Sequence, residues 1–83
     1  MDIKKLKYMR KLAMKYARYT IKAEKFAHAS YEAFEKNQTK KNERYARKAD
    51  VFKTKAYYTK EVYDLEVKIQ GAINEVNLDW EVL

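Results

Sequence analysis

Seven cations stand out by their spacing. Lys4, Lys7, Lys11, Lys15, Arg18, Lys22 and Lys25 are separated by 3, 4, 4, 3, 4 and 3 positions. On an α-helix that spacing gathers them within about 80° of arc. Like charges on adjacent turns repel at (i, i+3) and (i, i+4), which costs helix stability. A surface without an anionic partner normally mixes both signs. Here residues 1–25 hold nine Lys and Arg against two acids, Asp2 and Glu24. Contact with a phosphate backbone converts such repulsion into binding free energy, because condensed counterions are released. The chemistry these residues point to is electrostatic capture of a polyanion.

A shorter basic row, Arg44, Lys48 and Lys55, follows later in the chain, with Lys40, Lys41 and Arg47 crowded near a connection. Tyr8 and Tyr19 project at the margin of the first row, and Phe26 stands partly in the core. Rings beside cations can stack on unpaired bases. Lys outnumbers Arg by 15 to 4, which favours point contacts with phosphate over bidentate readout of base edges. Eight tyrosines suit unstacked bases, so RNA is the expected ligand in preference to duplex DNA. The chain has no GXXG loop, zinc knuckle or aromatic-rich strand motif. Specificity would then come from shape or from a protein partner. The competing reading is an ordinary Lys-rich, solvated helix surface. Membrane-surface binding is disfavoured, since the apolar face of the first segment is rich in Ala and Tyr where a membrane helix uses Leu, Trp and Phe.

The remaining reactive types lack partners in sequence. Without cysteine there is no disulfide framework and no thiolate nucleophile. His28 is the sole histidine and reads as a surface residue. Ser30 is the sole serine and reads as a small packing residue, because a nucleophile needs a base and an orienting group. The acids Glu61, Asp64, Glu66, Glu75, Asp79 and Glu81 have no metal-loop spacing, and Asp64 and Lys68 form an (i, i+4) pair of small weight. The expectation is a protein that is not an enzyme and uses neither metal nor cofactor.

The elements that must carry these residues follow from composition. The chain has 83 residues, a net charge of +7, 47% hydrophobic residues, one Gly and no Pro. The hydrophobic fraction is too high for a solvating disordered tail, and no apolar run is long enough to span a bilayer. The basic start lacks the apolar core of a secretory signal and continues as a pattern past Lys25, so it reads as folded body; the expected location is the cytoplasm. Leu6, Met9, Ala13, Tyr16, Thr20, Ala23, Ala27, Ser30 and Phe34 alternate steps of three and four, widened by Leu12, Phe26 and Tyr31. That pattern predicts a long amphipathic helix over about 3–36. The break falls at 37–42, where Asn37 tolerates the left-handed conformation and Thr39 or Asn42 can cap the next helix. Glu43 would then sit in a favourable first turn, although no residue here forbids a continuous helix.

The second helix, about 42–70, has two apolar stripes. Tyr45, Ala49, Phe52, Ala56 and Tyr63 suit a hairpin partner. Val51, Tyr58, Val62, Leu65, Ile69, Ala72 and Val76 lie on a different face, and a helix apolar on two sides touches two neighbours. Gly71 ends the helix or allows a close approach, leaving a short helix or tail over 72–83 whose Trp80 anchors in a groove. The fold class is all-α: a single domain, residues 1–83, built as a long antiparallel helical hairpin with that short third element. Two such helices cannot bury all these residues alone, so the expected state is a homodimeric bundle. Its interface would use Tyr58, Val62, Leu65, Ile69, Ile73, Val76 and Trp80.

Charge is also polarised along the chain. Residues 61–83 hold six acids and one Lys, so an acidic end follows a basic body and could screen it. In type, a short Lys- and Tyr-rich chain free of Cys and Pro is similar to the small accessory proteins of bacteriophages. Some of those bind RNA or host proteins, including ribonuclease toxins of toxin–antitoxin systems. The likeness is one of type, so no site residue comes with it. Two functions are carried forward. The first is an RNA-binding protein that sequesters RNA or holds a host protein on it; the second is an inhibitor or adaptor docking on an acidic protein surface.

Overall fold

The computed structural model describes residues 2–82, with side chains described as far as Asn74. Two helices make up the fold, α1 (Ile3–Glu35) and α2 (Thr39–Val82), antiparallel in a rod measuring 69 × 17 × 13 Å. Asp2 caps α1: its backbone is extended, and its carboxylate accepts from the Lys4 amide at 3.3 Å. This satisfies one of the amides that a helix start leaves free.

The turn has a definite geometry. Asn37 adopts φ 59°, a left-handed conformation that Asn enters more easily than most residues. Its amide donates to the Phe34 carbonyl at 3.1 Å, and the Gln38 amide donates to the Ala33 carbonyl at 2.8 Å. Those two bonds form a Schellman motif, which closes the carbonyls at the end of α1. The Asn42 amide then donates to the Gln38 carbonyl at 2.9 Å, so Gln38 occupies the cap position of α2. Two details of the expected turn are thereby corrected. Thr39 is already helical and Asn42 lies inside α2, so neither is the cap. Because the helix begins at Thr39, no acid lies in its first turn, and Glu43 falls just beyond it. Asn42 instead meets Ser30, whose hydroxyl lies 2.6 Å from the Asn42 carboxamide oxygen and 3.2 Å from its backbone carbonyl. Ser30 is thus a polar tie between the helices near the turn as well as a small packing residue.

A larger correction concerns Gly71. The expected boundary at 70–72 does not exist, and α2 runs unbroken to Val82. Gly71 has no positive φ, and a Cβ built on it would meet nothing within 4 Å. It neither ends the helix nor permits a close contact. A single Gly costs a helix only about 1 kcal/mol, too little to break one whose neighbours all favour it.

The helices mesh through heptad-spaced rows. On α2 the inward row is Asn42, Tyr45, Ala49, Phe52, Ala56, Thr59, Tyr63, Glu66 and Gln70, which contains the whole expected hairpin stripe. On α1 it is Met9, Leu12, Tyr19, Ala23, Phe26, Ser30 and Ala33. The predicted α1 stripe shares Met9, Ala23 and Ser30, and through its widening Leu12 and Phe26, but its main row is rotated from the real one. Phe34 is 65% exposed and Leu6 52% exposed. The rotation brings Tyr19 and Phe26 squarely against α2, with Thr20 and Ala27 moved to the edge where they line a groove, burying larger apolar surface. The buried positions are few: Met9, Leu12, Ala33 and Ala56 among the described residues.

Register follows from cross-helix contacts. Phe26 stacks near Tyr45, and Lys5 ion-pairs with Glu66, so facing positions sum to about 71. Ile3 therefore lies opposite about residue 68. Beyond it α2 continues as far as Val82 with no α1 alongside, an extension of roughly 20 Å at 1.5 Å per residue.

Candidate nucleic-acid interface

The inward register brings four rings into a ladder across the two helices. Tyr45 and Phe26 have centroids 6.2 Å apart, Phe26 and Phe52 5.6 Å apart at 7° between planes, and Phe52 and Tyr19 6.2 Å apart. Offset stacking of this kind adds about 0.5–1.5 kcal/mol per pair to area burial. All four rings are half-buried, which leaves one side of the ladder open on a single face of the hairpin.

Cations from both helices cover that open side. Lys22 Nζ lies 5.2 Å from the Phe52 centroid, Lys48 Nζ 5.3 Å from Phe26, and Lys55 Nζ 5.3 Å from Phe52 and 5.9 Å from Tyr19. Each ring draws an ammonium through its quadrupole, while the lysine stem lies along apolar surface and the charge stays wet. Lys22 belongs to the α1 row, and Lys48 and Lys55 belong to the α2 row. The ladder therefore fixes both rows on one face.

The other members follow by helical position. Lys4, Lys7, Lys11, Lys15, Arg18 and Lys25 are exposed on the same side of α1 as Lys22. Lys41 and Arg44 are exposed on the same side of α2 as Lys48, whereas Lys40 and Arg47, also exposed, are turned about 80–100° further round the helix, away from α1. From Lys4 to Lys25 the face runs about 32 Å, close to one turn of duplex nucleic acid. Its acids are sparse, and Glu24 and Asp50 line the opposite groove.

The tyrosines divide. Tyr8 is 43% exposed with the Lys5 ammonium 5.7 Å from its ring. Tyr19 and Phe26 are committed to the ladder with lysines over the rings, so a base could stack there only by displacing them. On this face the cations are therefore the accessible groups.

Sequence reasoning did not foresee the ladder, because Phe52 and Tyr45 read only as packing residues on one helix. The signal was present in the shared three-four spacing of the two rows, but the register that joins them is tertiary. It also missed a groove of about 550 Å³ on the opposite face, floored by Ala23, Ala27, Ala49 and Ala56 and framed by Tyr16 and Tyr57. His28 is exposed and pairs with Glu32 at 3.0 Å, as a surface residue does. Among the described residues no cluster of three or more His, Cys, Asp or Glu could hold a metal ion, and no helix is long and apolar enough to cross a membrane.

The second α2 stripe is exposed, as its distance from the inward row requires. Val51, Tyr58, Val62, Leu65, Ile69 and Ile73 are each 41–63% exposed. The side chains of Val76 and Trp80, assigned with them to an interface, lie outside the described residues, as does the expected docking of the chain's end.

Comparison with known proteins adds no assignment: no family model, no curated protein and no solved structure matches this chain.

Proposed function

We propose that this protein binds nucleic acid, RNA in preference to DNA, through the basic face that spans α1 and the first half of α2. The observation that carries this reading is the cross-helix arrangement of Lys22, Lys48 and Lys55 over one aromatic ladder. A charge row on one helix is commonly just a solvated face. Here two rows with few acids are held side by side, and their mutual repulsion is a standing cost that a phosphate backbone relieves. The excess of Lys over Arg fits contact with phosphates, so binding is weakly dependent on sequence and strongly dependent on salt. The protein acts without catalysis, by sequestering RNA or by holding a protein partner on it. It works as a homo-oligomer, because among the described residues the hairpin buries only Met9, Leu12, Ala33 and Ala56 and leaves the second α2 stripe in water.

The test is a titration of nuclease-treated, high-salt-washed protein into labelled single-stranded RNA, duplex RNA and duplex DNA at two salt concentrations. The expected result is micromolar or tighter binding to RNA with a steep negative log–log salt slope. Absence of binding to all three at near-physiological salt would overturn the reading and leave docking on an acidic protein surface as the alternative.

A further inference from the structure

The exposed stripe of α2 has a symmetry that the hairpin does not use. Val51, Tyr58, Val62, Leu65, Ile69 and Ala72 are separated by 7, 4, 3, 4 and 3 positions, the spacing of a coiled-coil seam. This seam is turned by roughly a third of a revolution from the inward row. It therefore points away from α1. At its middle is a shallow concavity of about 300 Å³ lined by Glu61, Val62, Asp64, Leu65 and Lys68. Glu61 and Lys68 flank the seam on the same edge, two turns apart, with Asp64 between them.

We propose that this concavity is the centre of an interface with a second copy of the chain, in which the two α2 helices pack antiparallel with Val62 against the second copy's Leu65, and Glu61 pairs reciprocally with the second copy's Lys68. The inference deepens the oligomer reading above and rests on it; what it adds is orientation and register.

Three observations select this occupant. The first is charge along α2. Residues 44–60 carry six cations and one acid, whereas 67–83 carry one cation and three acids. Parallel pairing lays the basic stretch on its own copy, while antiparallel pairing lays each basic stretch along the other copy's acidic end, twice by symmetry. The second is the edge. When Val62 faces Leu65, positions on this edge pair where their numbers sum to about 129, the usual geometry of an antiparallel seam. Glu61 and Lys68 have that sum, so one two-fold operation satisfies both. The third is the length of α2. Past about residue 68 it has no α1 beside it, so the second copy's helix can lie along it without meeting the first copy's other helix.

Reversal and restoration of the Glu61–Lys68 pair provide the test, read by sedimentation equilibrium with circular dichroism as a check on folding. Wild type is expected to reach twice its 10.0 kDa protomer mass. Glu61→Lys alone, or Lys68→Glu alone, places two like-charge pairs in the dimer and should raise its dissociation constant about tenfold or more. The double variant E61K/K68E should return it to within about threefold of wild type, with helicity unchanged throughout. A wild type that stays monomeric up to high concentration overturns the oligomer reading itself. A wild-type dimer indifferent to the single reversals, or not restored by the double, overturns only the antiparallel register.

Discussion

The two ends of α2 do opposite things with the same helical geometry. From Thr39 to about Lys68 the helix has α1 beside it, contributes Tyr45 and Phe52 to the ladder, and adds its cations to those of α1. Beyond that point it projects without a hairpin neighbour, and its charge turns acidic. Where a second helix is present, Tyr45 and Phe52 turn toward it with lysines draped over the ladder, while Tyr57 and Tyr58 on other faces stay exposed. Where it is absent, Ile69 and Ile73 remain in water at 42% and 47% exposure. The comparison teaches that direction counts as well as pairing, since Val51, Tyr58, Val62 and Leu65 lie in the paired part yet stay exposed because they face away from α1. It also bears on the two activities proposed for the protein, polyanion capture on the ladder face of the paired part and self-association along a stripe that runs from the paired part into the extension.

That comparison can be attacked from either side. The largest effect is expected on the basic face. Replacing Lys11, Lys15, Arg18 and Lys22 together by Gln should lower RNA affinity about a hundredfold at moderate salt. The same change should flatten the log–log salt slope by roughly three, each lost phosphate contact removing about 0.7–0.9. Fluorescence titration across salt measures both. An unchanged slope would show that these cations do not meet phosphates. The oligomer should survive this change, since the four residues lie on α1.

Next in size is the converse experiment. Val62, Leu65 and Ile69 changed together to Asp should dissociate the oligomer while the hairpin keeps its helical circular dichroism, because none of the three faces α1. Sedimentation velocity reads the outcome. Loss of helicity along with mass would mean that the exposed stripe is part of the core and that the comparison is drawn in the wrong place.

A smaller effect tests the ladder. Phe52→Ala removes the ring that touches both Phe26 and Tyr19 and should cost about 2 kcal/mol, less than the 3–5 typical of a fully buried Phe because the site is half open to water. Thermal or urea unfolding measures it. Lys22 and Lys55 would also lose the ring beneath them, so RNA affinity should fall modestly even where the variant stays folded.

The smallest sharpens the view of the extension. Gly71→Ala adds a Cβ into open space on a helical backbone and should favour the helix by about 0.5–1 kcal/mol. Because residues past 68 have no α1 neighbour, the gain should appear as slower amide exchange beyond Gln70, with little change in the midpoint of hairpin unfolding. A large shift of that midpoint would indicate that the extension is coupled to the paired region.

Much of this was legible in the sequence. The seven-cation row, the two-helix division, the break beside Asn37 and the hairpin stripe Tyr45, Ala49, Phe52, Ala56 and Tyr63 all follow from spacing and residue type. So does the exposed second stripe, since one neighbour cannot cover two faces. These are properties of a single helix, and helical geometry maps spacing to direction without reference to anything else. The continuity of α2 through Gly71 is also local in cause, but sequence signals overstate a lone Gly when its flanks favour helix.

Tertiary structure decided what spacing leaves degenerate. Apolar residues cover a wide arc of α1, so two rows with the same period compete there. Contact with Phe52 and Tyr45 centres the row on Tyr19 and Phe26 and leaves Thr20 and Ala27 at its edge. The antiparallel register, with facing positions summing to about 71, then determines which cations of α2 stand beside which cations of α1. It also leaves the last part of α2 unpaired. Periodicity gives each helix its faces; only the packing of one against the other chooses the face that is buried, because burial is a property of the pair.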